Sequence, residues 1–225
     1  MEQQCLKLEE TNLHKAFVQS KTQKENPAFR GPFDFKKVMT IFKKNYVLVP
    51  LEIFKDPYKA LISTIMSART RDSVTVVVAK KLFEIAPNLK SLKKLKEKEI
   101  EDLIYGISFH KTKAKHIYEL AKMIDKVPSK PEDLMKLPGV GRKTANLVVN
   151  RAFNTPAIAV DTHVHRISNL LGWVHTKSPE ETEKELIKVL PKKYWSNINR
   201  LFVSIGQQYR SERQVKEFLK KNKLI

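Results

Sequence analysis

Cysteine is almost missing from this chain: Cys5 is the single one among 225 residues. No disulfide can close within it, and no cysteine-based metal cluster can be built from it. A reducing interior suits that usage. Long apolar runs are missing too, and none approaches the ~20 residues of a membrane span. The stretch MEQQCLKLEE lacks the basic-then-apolar order of a signal peptide. A soluble, intracellular protein is expected, in the cytoplasm or nucleoid of a prokaryote or the nucleus of a eukaryote. Acidic side chains are few beside basic ones, 24 against 43, which leaves a net charge of +19. Nucleic acid is the leading partner for such an excess, because each phosphate met by Lys or Arg releases counterions. An anionic membrane surface is the weaker alternative.

Period-two alternation is also absent, and the long patterns repeat every 3.6 residues. Asp34 caps a first helix with Phe35, Val38, Met39 and Phe42 on one face. Asp56-Pro57 opens a second, striped by Tyr58, Leu61, Ile62, Ile65 and Met66. Ser67 to Asp72 interrupts it, and Val74, Val77, Val78 and Leu82 mark the next stripe. Residues 89 to 105 read as one lysine-rich helical stretch, and Ile117, Leu120, Ala121 and Ile124 as another helix. A helix over about Arg142 to Phe153 follows a glycine-bearing turn. Asp161 and Gly172 bracket the next helix, and Ser178-Pro179-Glu180-Glu181 starts one more with a capping box. The fold class is all-α with short loops. Residues 1–33 are polar and read as an extension.

The turn is Leu137-Pro138-Gly139-Val140-Gly141. Gly139 and Gly141 permit positive φ and let a backbone approach a ligand. The free N–H groups of the helix behind them can take a phosphate. Pro138 stiffens the entry, and Val140 offers a small apolar tip to a sugar edge. A nucleotide P-loop is excluded, since Arg142 separates Gly141 from Lys143 and a helix, not a strand, precedes. Glycines that merely turn the chain between two helices are the bland alternative. His163 and His165 form an H-x-H pair, but i and i+2 diverge on a helix, so no transition metal is assigned.

LPGVGRKTAN followed by VDTHVHR closely resembles the helix-hairpin-helix DNA glycosylases, and within them the endonuclease III family. The likeness runs from about Asp34 to Tyr209 and includes Asp56-Pro57-Tyr58, Ser67 to Asp72, and Ser108-Phe109 through Lys113-Ala114. It implies two helical domains with DNA in the cleft between them. One is a six-helix barrel over 50–155, with the helix-hairpin-helix at about 132–152. The other combines 34–49 with 156–225. It also implies a monomeric base-excision enzyme, a glycosylase and abasic-site lyase for oxidised pyrimidines in duplex DNA. Lys143 matches the family's nucleophile and Asp161 its catalytic carboxylate. Asp161 is equally an N-cap; the two roles are compatible, because cap N–H groups favour an anion. Burial, Arg142 and the helix N-terminus are expected to favour a neutral Lys143 amine. Phe109 aligns with an apolar wedge that fills the gap left by an extruded base, and Arg69 is expected from the opposite lip. Lys113, with Lys111 and Lys115, is expected to meet phosphates, as are Gly139, Gly141 and Arg142.

Two departures stand out. Where the family pattern carries cysteines for an iron–sulfur cluster, this chain reads Gly206-Gln207-Gln208-Tyr209-Arg210-Ser211. No cluster is expected, and packing and charge must hold the C-terminal part instead. Many bacterial relatives have glutamine where Arg69 stands. A monovalent cation on hairpin carbonyls follows from the resemblance. The alternatives are a glycosylase of the same fold with another base preference, and a non-catalytic hairpin module for docking DNA.

Overall fold

Asp34 begins the described structure as its sequence suggests: its carboxylate accepts the Lys37 N–H and starts α1, Phe35–Lys44. The computed structural model describes residues 33–225. The extension read over 1–33, with Cys5 in it, lies outside the described residues, Phe33 excepted. Residues 34–225 form one compact unit. A single 3-10 turn, Pro50–Ile53, leads from α1 into α2, Pro57–Ser67, which Asp56 caps through the Lys59 N–H. Then come α3, Asp72–Ile85; α4, Leu89–Leu92; α5, Glu97–Leu103; and α6, His110–Met123. After these run α7, Pro131–Leu134; α8, Arg142–Phe153; α9, Thr162–Leu170; and α10, Pro179–Val189. The chain closes with the 3-10 turn Lys192–Tyr194, α11, Trp195–Gln208, and α12, Glu212–Lys221. Among the described residues the fold is all-helical, without strands.

The centre is α2. Residues Tyr58 and Ala60 to Met66 are all buried, Ser63 and Thr64 included, and a helix buried on nearly every face must be enclosed by others. It packs on α8, α3 and α6. Their inward faces, with Leu82, Ile117, Leu120, Val148 and Val149, join Ile100 of α5 in one apolar cluster. A second group joins the two ends of the unit. Phe42 of α1 packs 4.9 Å from Phe202 of α11 and 5.9 Å from Phe218 of α12, ring centre to ring centre. Trp173 lies 5.5 Å from Phe202. Side-chain amides stitch the groups together: Asn146 of α8 donates to Ile158 O at 2.8 Å, and Asn199 of α11 donates to Ala159 O at 3.0 Å. Arg151 and Glu52 pair at 2.9 Å in the same seam.

Three local expectations change. The apolar face of α3 is Thr75, Val78, Ala79 and Leu82, while Val74 and Val77 are exposed. The stretch 89–105 divides into α4 and α5, because Asn88 and Ser91 close a capping box and Glu99 takes the Lys96 N–H, starting a second helix. At α10 only half of the capping box forms. Ser178 Oγ accepts the Glu181 N–H, but the Glu181 carboxylate reaches back to the Lys177 N–H.

Candidate active site

The hairpin between α7 and α8 turns at Gly139, whose φ is +74°. A side chain there would be strained by the backbone and blocked in space, since a Cβ would stand 2.7 Å from His116 Nδ1. Gly141 differs. Its φ is −91°, and nothing lies within 4 Å of where its Cβ would be. The space over Gly141 is open to an outside group. Gly141 is the N-cap of α8 and brings no side chain to its first turn, so the N–H groups there face outward. The Val140 side chain is not the apolar tip expected of it. It is buried in the main apolar cluster, and its N–H closes the turn on Leu137 O at 3.2 Å. Arg142 is exposed and 3.6 Å from Glu183, whose carboxyl burial pushes up from its ordinary range.

Lys143 is the second residue of α8 and opens onto a cleft of about 260 Å³. Asp161, at the head of α9, lines the same cleft, with Ser67, Asp72, His163 and Gln207. The expected burial of Lys143 is not found: its side chain is exposed, because α8 begins at the cleft rim. Asp161 is a true N-cap. Its Oδ1 accepts the N–H groups of His163 at 3.0 Å and Val164 at 2.8 Å. Its Oδ2 takes no hydrogen bond among the described residues.

The two histidines go separate ways. His165 Nδ1 meets Thr182 Oγ1 at 2.6 Å in a polar knot between α9 and α10. His163 forms the cleft wall against Gly206. A Cβ on Gly206 would stand 2.1 Å from His163 Nδ1, so only glycine fits. Burial holds His163 below the usual histidine range, with Arg166 and Lys143 adding to the effect against Asp161 and Asp72. Gln207 donates to Asp72 Oδ2 at 3.1 Å, linking α11 to the head of α3 across the cleft. Sequence reasoning missed His163, Gly206, Gln207 and Asp72 as one wall. Nothing local marks them, since three separate segments build it.

Arg69 and Phe109 are not on opposite lips. The Arg69 guanidinium lies 5.0 Å from the centre of the Phe109 ring, a cation–π contact. Both residues are left-handed, each with φ +58°, and Phe109 is 58% exposed. Such backbone costs ~1–3 kcal/mol per residue unless the surroundings enforce it. Lys113 departs furthest from expectation. It is 7% exposed and meets no solvent phosphate. Its Nζ donates to Met66 O at 2.8 Å, Ala68 O at 2.6 Å and Thr70 Oγ1 at 3.3 Å. Burial pushes the ammonium down to about 8. The phosphate role assigned to it fails, because every proton of the ammonium faces an oxygen of the protein.

Residues 62–192 match the family described as the HhH-GPD superfamily base excision DNA repair protein. Endonuclease III of Thermotoga maritima is 48% identical over 158 residues, 68% of this chain and 74% of that protein. Endonuclease III of Buchnera aphidicola is 35% identical over 186 residues, 80% of this chain and 89% of that protein. Among solved structures, a trapped endonuclease III–DNA covalent intermediate superposes with a TM-score of 0.70 at 36% identity, covering 78% of this chain and 84% of that one. No helix among the described residues is long and apolar enough to cross a membrane. A family match over more than half the chain and relatives of this similarity agree with the all-helical fold and the hairpin: the chain belongs to the HhH-GPD superfamily of base excision DNA repair proteins, as an endonuclease III-like DNA glycosylase.

Proposed function

We propose that this chain is bifunctional, removing an oxidised pyrimidine from duplex DNA and then breaking the strand through Lys143. The observation that carries the reading is the pairing of Lys143 with Asp161 on one cleft, each at the head of a helix. The Lys143 amine, once deprotonated, adds to C1′. The bond from C1′ to the base breaks, and the base leaves with the electron pair and takes up a proton. The sugar opens to an imine on Lys143. Loss of a C2′ proton then expels the 3′ phosphate oxygen, and water frees the lysine. The free Oδ2 of Asp161 supplies an anion for positive charge developing at C1′. Lys143 is exposed in the DNA-free protein, so the bound duplex must provide the desolvation that favours a free amine. The likeness to a trapped covalent endonuclease III–DNA intermediate supports the covalent route.

Duplex DNA enters as the partner of a monomer. Hairpin N–H groups and Arg142 hold a phosphate, and Arg69 with Phe109 fills the space the extruded base leaves. The two apolar groups support a cleft dividing a barrel, 50–155, from a domain of 34–49 and 156–225. No iron–sulfur cluster enters this reading. Where the family's cysteines would begin, Arg166 donates to the carbonyls of Tyr209 and Arg210, and Tyr209 stacks on Phe218 at 4.7 Å. These contacts hold α12 by packing and charge. A monovalent cation on the hairpin is part of this reading, and the carbonyls of Pro138, Gly139 and Val140, which accept no hydrogen bond among the described residues, are open to one. Borohydride should trap the protein on DNA carrying an abasic site. An undiminished adduct with Lys143→Ala would falsify the assignment. A panel of duplexes, each with one damaged base, tests the preference for oxidised pyrimidines against another preference in the same fold.

A further inference from the structure

Of the four left-handed non-glycine residues among the described residues, two lie against each other. Arg69 follows the end of α2, Phe109 precedes α6, and both are left-handed, with Thr70, the residue after Arg69, lining the cleft. Neither is glycine, so something must hold them there. The hydrogen bonds around them converge on one side chain. The Lys113 ammonium donates to the carbonyls of Met66 and Ala68, which lie just before Arg69, and to Thr70 Oγ1, which lies just after it. Thr70 Oγ1 also accepts the N–H of Ser108, the residue before Phe109, at 3.1 Å. Both loops are therefore tied to the same two groups, Lys113 Nζ and Thr70 Oγ1. The Arg69 guanidinium over the Phe109 ring closes the assembly at the surface.

The chemistry of the ammonium fits this task better than packing alone would require. A methionine of similar length would fill the volume. An ammonium instead offers three donors to three oxygens that diverge from one point. The carbonyls of Met66 and Ala68 belong to the C-terminal end of α2, where negative potential gathers and a cation is favoured. Lys113 itself stands in the first turn of α6, four residues on from Phe109, and its own N–H bonds Phe109 O at 3.0 Å. One residue thus grips the wedge loop by its backbone and the Arg69 loop by its side chain.

We propose that Lys113, acting with Thr70, is a positioning residue that locks Arg69 and Phe109 as one preformed wedge for the gap in the duplex. This rests on the reading that Arg69 and Phe109 fill that gap. Lys113 touches neither DNA nor the reacting sugar. Its effect is confined to substrates whose base must be forced out of a stacked, paired duplex. An abasic site in single-stranded DNA has no base to extrude and no gap to fill.

The test compares two rates in each variant: base removal from a paired duplex with one oxidised pyrimidine, and strand cleavage at an abasic site in a single strand. Lys113→Met keeps the volume and removes the donors. The ratio of the two rates should fall about tenfold, the effect of a hydrogen-bond set held away from water. Thr70→Val should lower the ratio in the same direction, and Thr70→Ser, which keeps the hydroxyl, should restore it. Should Lys113→Met not fold, the Thr70 pair decides the matter. Equal losses on both substrates would mean a purely structural lysine and would overturn the proposal. A wild-type ratio in Thr70→Val would overturn it too. The double variant Arg69→Ala with Phe109→Ala separates the two ideas. If it lowers the ratio while the Thr70 variants do not, the wedge stands and the lock fails. If it leaves the ratio unchanged, the wedge reading itself fails and takes the lock with it.

Discussion

Lys113 and Lys143 stand near the heads of two helices, α6 and α8, and the same side chain meets opposite fates there. A helix N-terminus disfavours a cation. Lys113 escapes that field by reaching across to the carbonyl end of α2, where all three of its protons find oxygen. Lys143 has no such refuge: it is exposed at the rim of the cleft beside Asp161. With Lys143 proposed as the nucleophile, the difference shows what that role would need. A lysine whose protons are all bound by acceptors is structural, however low burial drives its proton affinity. A lysine that no protein oxygen holds keeps its amine within reach of a bound substrate, and the duplex must then supply the desolvation that frees it. Burial and depressed basicity alone would have selected Lys113 as the reactive one. Its geometry rules that out.

The sharpest way to break the contrast is on the reactive side. Asp161→Asn keeps an oxygen for the His163 and Val164 N–H groups and removes only the charge. Base removal should slow by about a hundredfold or more, the scale on which one electrostatic stabiliser is lost. Melting temperature should barely move, because Asn caps a helix about as well as Asp. Near wild-type turnover would leave Asp161 a cap and nothing else.

Gly206→Ala comes next. The new Cβ cannot coexist with the His163 ring at 2.1 Å, so either the ring or α11 must shift. Overpacking of this kind costs about 1–3 kcal/mol, read as a lower denaturation midpoint. Turnover should fall as well, since His163 and Gln207 line the cleft with Lys143. Unchanged stability and turnover would show that the wall gives way easily.

How far the sequence reached depends on where each signal sits. Caps are local, so Asp34, Asp56, Asp161 and Ser178 were all legible from their neighbours. The hairpin was legible for the same reason, although of its two glycines only Gly139 takes the positive φ that both permit. Contacts between distant segments were not. Gly206 and His163 are 43 positions apart, and neither carries a mark of the other. Lys113 is the instructive case, because its pattern did hold a clue. It lies four residues before Ile117, on the stripe that Leu120 and Ala121 continue, and that stripe is the buried face of α6. Reading it as one more surface lysine beside Lys111 and Lys115 put charge ahead of periodicity. Val140 was misread similarly: it falls three residues after Leu137, and both side chains turn inward.

On the structural side, Lys113→Met should lower stability by about 1–3 kcal/mol, because the Met66 and Ala68 carbonyls lose their donor inside the protein. Its DNA affinity should weaken, if at all, without changing the salt dependence. Arg142→Ala, at an exposed position proposed to meet a phosphate, should instead reduce the slope of log affinity against log salt by about one. A reduced slope in Lys113→Met would restore the phosphate role that the geometry denies it.

The last effect is a pH dependence. Burial lowers Lys113 from the ordinary lysine value of 10.5 to about 8 in the folded protein. Between those values the unfolded chain holds a proton that the folded chain has released. Stability must therefore rise with pH across that window, since the state binding more protons is the one disfavoured by raising pH. Below about pH 8 both states carry the charge, and the full cost of burying it is in force. Lys113→Met has no proton there to release, so its stability should lose this rise between pH 8 and 10.5. Chemical denaturation of both proteins at pH 7.5 and pH 9.5 measures the difference. A gap between them that stays constant across the two pH values would mean that the three oxygens hold the ammonium as firmly as water does.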